Sequence, residues 1–222
     1  MNIVEDQQFK DWLIKSIEER EFHARTGVHC SDLIYCLNKQ ALRKSNPEPN
    51  TEKETLLFSI GWATQRWLTG ADEDEPEVEV DGIIVTRDAL YDDCPWELKC
   101  TYQSSNRPVE QNAHWIHQIM AQCYTSGRTT AYLSRFELMG DWIIKNGNRP
   151  TLHAFRLEFS QDELERNWRW LLERREEFLR VIQTGKLLPK VVALPAGGSY
   201  ECERCHYKDI CEGGTDDREE LL

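Results

Sequence analysis

The chain is expected to fold as an α/β protein: a mixed β-sheet flanked by helices, with further helices before it and an irregular segment after it. Two observations predict this. Apolar residues recur at helical spacing in five stretches, and between 78 and 101 and again between 130 and 159 the period shortens to that of strands. With one helical stretch lying between the two strand regions, the sheet is of mixed direction. At 222 residues the chain is one domain, or one domain with a small appendage, long enough to bury a real core.

The elements follow in order. Residues 5 to 24 carry Phe9, Trp12, Leu13, Ile17 and Phe22 at helical spacing, an amphipathic entry helix. Ser31 caps a second helix running to about Lys44, closed by Asn46-Pro47-Glu48-Pro49. A third, about 51 to 69, holds Leu56, Leu57, Ile60, Trp67 and Leu68 and stops at Gly70. From 78 to 101 a hairpin is expected, its turn centred near Leu90. That turn places Asp81 roughly opposite Lys99, while Glu97 and Lys99, two apart, share one face. A helix over 108 to 127 precedes a strand over Thr130 to Met139, a turn at Gly140-Asp141, and strands near Trp142 to Lys145 and Leu152 to Phe159. The long helix from Gln161 to about Thr184 has an apolar stripe of Leu164, Trp168, Leu171, Leu172, Phe178, Leu179 and Ile182. Beyond Gly185 the chain is irregular, with Pro189, Pro195 and Gly197-Gly198.

Several function classes drop out on composition. No apolar run approaches the roughly 20 residues that span a bilayer, and the first residues lack the cationic-then-apolar order of a signal peptide. A reducing cytoplasm is the expected location. A net charge of −12 argues against bulk coating of nucleic acid, although Lys39, Arg43 and Lys44 form a local basic group. There is no Gly-x4-Gly-Lys-Ser/Thr phosphate loop, hence no ATP-driven motor.

Clustered thiols in a reducing compartment more often hold metal than disulfides. Cys202-x2-Cys205-x5-Cys211 supplies three ligands to one centre, and Cys36, chosen over Cys30, supplies the fourth from the other end of the chain. An iron–sulfur cluster is the expected occupant; zinc, with His206, is the alternative. Cys30, Cys94, Cys100 and Cys123 read as small buried hydrophobes. Between the two thiol sets stand Asp81, Glu97 and Lys99. Two carboxylates to hold Mg²⁺ or Mn²⁺ and an ammonium to orient water are what metal-dependent phosphodiester cleavage needs. Such charges also arise on exposed strands; the apolar setting after Pro95-Trp96 argues that these have partners.

In SDLIYC, GWATQRWL, VDGII, WELKCT, HWIHQIMAQCY and the late cysteines, the chain resembles the RecB-type branch of the PD-(D/E)xK nucleases. Within that branch it is similar to the CRISPR-associated iron–sulfur exonucleases, the Cas-four family and its viral relatives. The resemblance spans nearly the whole chain and implies a restriction-endonuclease-like sheet, clasped by a 4Fe-4S or sometimes a 2Fe-2S cluster, that cleaves DNA with Mg²⁺ or Mn²⁺. It implies Asp81, Glu97 and the Leu98 carbonyl as metal ligands, Lys99 as the water-orienting group and Gln118 as a helix residue at the site or on DNA. Gln65 stands where the family has a metal-binding His, and Gln122 where it has a Tyr, with Tyr124 nearby as a replacement.

The layout so implied is a helical part over about 1–50, a nuclease core over 51–185, a cysteine-rich segment over 186–214 and a mobile acidic tail, 215–222. Single-stranded DNA ends and the CRISPR integrase are the implied partners, in trimming DNA for spacer capture, and an oligomeric form is left open. A viral or mobile-element recombination or repair nuclease would use the same chemistry. A weakly active DNA-end adaptor is the reading that Gln65 and Gln122 motivate.

Overall fold

A computed structural model describes residues 4–22, 25–70, 76–101, 108–138, 150–203 and 205–213. Helix α1 (Gln7–Glu21) begins where the Asp6 carboxylate accepts from the Phe9 N–H at 3.0 Å, a side-chain N-cap. It buries none of its residues; Phe9 and Trp12 remain 57% and 61% exposed. It lies along α4 (Glu52–Thr69), to which Phe22 fastens it edge-on against Trp62 and Glu18 accepts from the Thr55 hydroxyl at 2.9 Å.

The helix expected from Ser31 to Lys44 is two helices, α2 (Cys30–Ile34) and α3 (Leu37–Ser45), and His29 rather than Ser31 holds the N-cap position. Tyr35 and Cys36 are extended between them. Such a break frees carbonyls that need partners. The buried Arg174 side chain provides them, donating to the Leu33 carbonyl and, at 2.6 Å, to that of Tyr35.

His29 is itself buried, with Nδ1 2.6 Å from the Arg25 guanidinium and Nε2 2.9 Å from the Thr26 carbonyl, an arrangement that suits the neutral ring. Burial first, and Arg25 second, hold its pKa below the usual histidine value; burial does the same for His117, bonded to Asn167 at 2.6 Å. The unfolded chain takes up these protons near pH 6.5 and the folded chain does not. Stability is therefore full above about pH 6.5 and falls as pH drops toward the depressed folded values. Urea midpoints are expected to be lower at pH 5.5 than at 7.5, with a smaller difference in His29→Gln; equal midpoints for the parent would contradict this assignment.

One hairpin was expected over 78–101, and two are present. Strands β1 (Val78–Val80) and β2 (Ile83–Val85) pair antiparallel around Asp81-Gly82, both left-handed at φ 50° and 72°. Strands β3 (Ala89–Tyr91) and β4 (Cys94–Thr101) pair around Asp92-Asp93, also left-handed. An Asp-Gly pair suits the two-residue turn whose twist matches that of the flanking strands, so Asp81 sits in a turn and not across from Lys99.

The main sheet has the order β3-β4-β5-β6, with β5 (Thr130–Glu137) parallel to β4 and antiparallel to β6 (Thr151–Glu158). Helix α5 (Ala113–Ser126) makes the crossover that the parallel pair requires. The sheet is therefore mixed and carries helices on both faces: α5 on one and, through Thr64 against Cys100 at 3.6 Å, α4 on the other. The turn expected at Gly140-Asp141, the strand near Trp142 to Lys145, the last residue of the Thr130 to Met139 strand and the acidic tail lie outside the described residues.

Helix α6 (Gln161–Thr184) starts at a Ser160–Glu163 capping box and stops at Gly185, φ 67°. Its residues Leu164, Trp168, Leu171 and Phe178 are buried as the stripe predicts, whereas Ile182 is 38% exposed. Trp168, Leu171 and Phe178 join Leu33, Ile34, Leu37, Ile83 and Val85 in one cluster; Leu164 joins Ile119, Ala131 and Leu133 in a second. Tyr124 bridges the two, stacked on Trp168 at 4.6 Å, and is thus a packing residue and not a replacement for the tyrosine missing at Gln122. After α6 come α7 (Lys190–Ala193), a 3-10 turn over Gly198–Cys202 and α8 (Lys208–Gly213). No described helix is long and apolar enough to cross a membrane.

Candidate active site

On β4, alternation sends Glu97 and Lys99 toward α5 and Leu98 and Cys100 toward α4. Glu97 is 1% exposed, a carboxylate that burial would make costly without partners. It has two. Oε1 meets the Lys99 ammonium, and Oε2 accepts from Gln122 Nε2 at 2.5 Å; the same amide nitrogen lies 2.9 Å from the Thr86 carbonyl. Lys99 also donates to Gln118 Oε1 at 3.0 Å. Gln118 and Gln122 are one turn apart on α5, so a single helix face grips both charged residues. Among the described residues the buried Gln122 Oε1 has no hydrogen-bond partner.

Burial alone would lower the Lys99 pKa, but the Glu97 and then the Asp88 carboxylates outweigh it and leave the pKa raised. Lys99 is therefore an ammonium at neutral and mildly alkaline pH, suited to orienting water and neutralising an oxyanion, not to removing protons.

Asp88 is the residue that the sequence reading missed. The β3–β4 register pairs Ala89 with Trp96, so its continuation sets Asp88 opposite Glu97, and Asp88 Oδ2 accepts from the Leu98 N–H at 2.6 Å. Asp81, expected in this place, is exposed on the β1–β2 turn, where its Oδ2 accepts from the Trp168 indole at 2.9 Å. It anchors the turn to α6, aided by Arg175, which donates to the Gly82 carbonyl at 3.1 Å. Gln65 lies on α4, beside the Thr64 that meets Cys100, and its backbone carbonyl accepts from the Thr69 hydroxyl. The structure thus gathers Glu97, Leu98, Lys99, Gln118, Gln122 and Asp88, and leaves Asp81 outside.

The fold is shared with a solved protein. The chain matches the crystal structure of SSO0001 over 91% of its own length and 95% of the other, with a TM-score of 0.58 and 15% sequence identity. Looser likenesses, both at a TM-score of 0.47, are to an alkaline exonuclease (LHK-Exo) from Laribacter hongkongensis and to a phage-related exonuclease from Haemophilus somnus 129PT. The first has 15% identity over 71% of this chain and 90% of that one; the second has 11% over 73% and 98%. No protein-family model and no curated protein matches the chain. At such identities the likeness to SSO0001 speaks for the fold: a mixed sheet flanked by helices.

The thiols form a second locus. Cys36, at the N-terminus of α3, lines one cavity with Cys202, Cys205 and Cys211, and Lys39, Lys190, Lys208 and Glu201 line it too. Cys30 is not among them; its charged neighbours are Glu97 and Lys99, and burial pushes its thiol up to about 12. Burial likewise lifts Cys36 to about 11 and raises Cys211, whose next causes are Cys205 and Cys202. His206 faces Glu54 at 3.3 Å and Glu48 at 4.0 Å. Glu201 Oε2 accepts from the Cys36 N–H at 3.1 Å.

Among the described residues no three His, Cys, Asp or Glu side chains stand close enough to hold one metal ion. Cys36, Cys202, Cys205 and Cys211 around one cavity are soft donors of the kind that an iron–sulfur cluster or zinc takes. For Mg²⁺ or Mn²⁺ the donors on offer are two carboxylates, Asp88 and Glu97, and the Leu98 carbonyl. These are hard oxygens of the kind Mg²⁺ takes while keeping several waters.

Proposed function

We propose that the chain is a Mg²⁺- or Mn²⁺-dependent deoxyribonuclease acting on single-stranded DNA ends, clasped by an iron–sulfur cluster on Cys36, Cys202, Cys205 and Cys211. The observation that carries the reading is the buried Glu97 carboxylate, locked between the Lys99 ammonium and Gln122 with Asp88 on the adjoining strand. Charged groups this deeply packed are kept only with partners, and such clusters concentrate at functional sites.

A divalent ion held by Asp88, Glu97 and the Leu98 carbonyl would supply positive charge at the phosphate and acidify a water. The protein's own groups do the rest. Lys99, fixed between Glu97 and Gln118, points an ammonium at the reacting phosphate and orients the attacking water. Gln122 fixes the second Glu97 oxygen, which sets the direction of the first. A cluster held by Cys36, Cys202, Cys205 and Cys211 would tie the first helices to the last segment, a structural role.

The sequence motifs support trimming of DNA for CRISPR spacer capture in the cytoplasm, with the spacer integrase as a partner. A recombination or repair nuclease of a virus or mobile element would use the same pocket, and a neighbouring integrase gene separates the two. The test combines metal analysis with cleavage of 5′-labelled single-stranded DNA on one anaerobic sample. Brown protein with near-stoichiometric iron and sulfide, whose cleavage stops with a chelator and returns with Mn²⁺, is the expected result. Colourless zinc protein would remove the cluster. DNA binding without cleavage in any divalent ion would leave an end-binding adaptor.

A further inference from the structure

Tyr35 and Cys36 are consecutive, yet they serve different places. Cys36 lines the thiol cavity, and its N–H is held by Glu201. The Tyr35 ring turns the other way and packs against His114, centroids 5.4 Å apart. His114 is one helical turn before Gln118 on α5, the residue that receives Lys99, so the Tyr35 ring stands at the next step along the face that grips the catalytic charges. The phenol is only partly buried, and its hydroxyl has no hydrogen-bond partner among the described residues. A partly buried hydroxyl without a partner, on a ring packed against the helix face that carries Gln118, is a donor of the kind a phosphate oxygen seeks.

We infer that Tyr35 is a further binding residue of the Glu97–Lys99 pocket, its hydroxyl donating to a DNA phosphate, and that the thiol clasp sets its position through the adjoining Cys36. The inference rests on the nuclease reading and adds to it a route by which loss of the clasp weakens DNA binding. Between Tyr35 and Cys36 there is one peptide bond and no flexible linker. The peptide between them is pinned at the Tyr35 carbonyl by Arg174 and at the Cys36 N–H by Glu201, so releasing the Glu201 contact at the thiol cavity frees the peptide that positions the phenol.

Tyr35→Phe removes only the hydroxyl and leaves both backbone contacts. Affinity for a fluorescent single-stranded oligonucleotide, measured without divalent ion, is expected to fall about tenfold, the loss of one hydrogen bond to a charged group, with a matching drop in kcat/KM. Iron content and Tm should stay at the parent values. Glu201→Ala, which frees the Cys36 N–H, is expected to weaken DNA binding as well, and adding Tyr35→Phe to it should cost less than Tyr35→Phe does alone.

Parental affinity and rate in Tyr35→Phe, with Glu97→Gln inactive, would overturn the role of Tyr35 and leave the nuclease reading standing. Loss of iron in Tyr35→Phe would make it a structural residue of the clasp. Iron loss in Glu201→Ala with unchanged DNA affinity would break the link between the two places. Cleavage by Glu97→Gln at the parent rate would instead sink the nuclease reading, and this inference with it.

Discussion

Glu97→Gln should cleave single-stranded DNA at least about a thousandfold more slowly than the parent in Mn²⁺, and Asp88→Asn should fall with it, while Asp81→Ala keeps most of its activity. Glutamine preserves the size of the buried Glu97 side chain and its contact with Gln122, but removes the charge that Lys99 pairs with and that a cation would bind. Losing one electrostatic group at a developing oxyanion costs about 10² to 10³ in rate, and losing a metal donor as well adds to that. Asp88 is included because the β3–β4 register sets it opposite Glu97. Asp81 is excluded because its carboxylate is spent on Trp168 at the surface. Single-turnover rates of the three variants on one labelled oligonucleotide decide the matter. A dead Asp81→Ala beside an active Asp88→Asn would reverse the assignment, provided Asp81→Ala melts like the parent.

Arg174→Met should destabilise the fold by several kcal/mol, on the order of 3, although Arg174 touches none of the pocket residues Glu97, Lys99 or Asp88. The guanidinium is 6% exposed and donates to the carbonyls of Leu33, Tyr35 and, at 3.2 Å, Ala193, and it lies over the Trp170 ring at 5.0 Å. Burial lowers its pKa to about 10, so it stays charged at neutral pH. Methionine fills a similar volume without donors and leaves buried carbonyls unpaired, each costing about 1–3 kcal/mol. Urea unfolding followed by tryptophan fluorescence reads the loss. A midpoint equal to that of the parent would mean that water replaces the guanidinium and that the residue is not a structural tie.

Much of the site was legible because strand geometry is local. Glu97 and Lys99 share a face by parity alone; Gln118 was implied only by the family resemblance, and the crossover helix between the parallel strands brings it to Lys99. The position of Asp81 was misread for an equally local reason. Val80-Asp81-Gly82-Ile83 is a two-residue turn signal between β-branched residues, and reading it as strand merged two hairpins into one and hid Asp88. Reading the Asp-Gly turn first would have drawn attention to Asp88, directly before the next strand, as a carboxylate able to stand opposite Glu97.

The break at Tyr35 had no such signal. Ser31 to Lys44 is uninterrupted by Gly or Pro, and the extended dipeptide is held open by Arg174 and Glu201, more than 130 residues away in sequence. Arg174 itself lay on a stripe otherwise read as core, and its charge gave no hint of burial.

The Arg174 tie also has a consequence for synthesis. The carbonyls of Leu33 and Tyr35 wait for a cation 141 and 139 residues downstream, and Asn38 bonds Leu188 across 150. A ribosome adding about 5–20 residues each second leaves the α2–α3 junction unsatisfied for on the order of ten seconds. During that wait Leu33, Ile34 and Leu37, which end at 0% exposure, have neither α6 nor the last segment to cover them. The nascent chain is thus most vulnerable to aggregation at its beginning, and slow translation of its final third would lengthen the exposure.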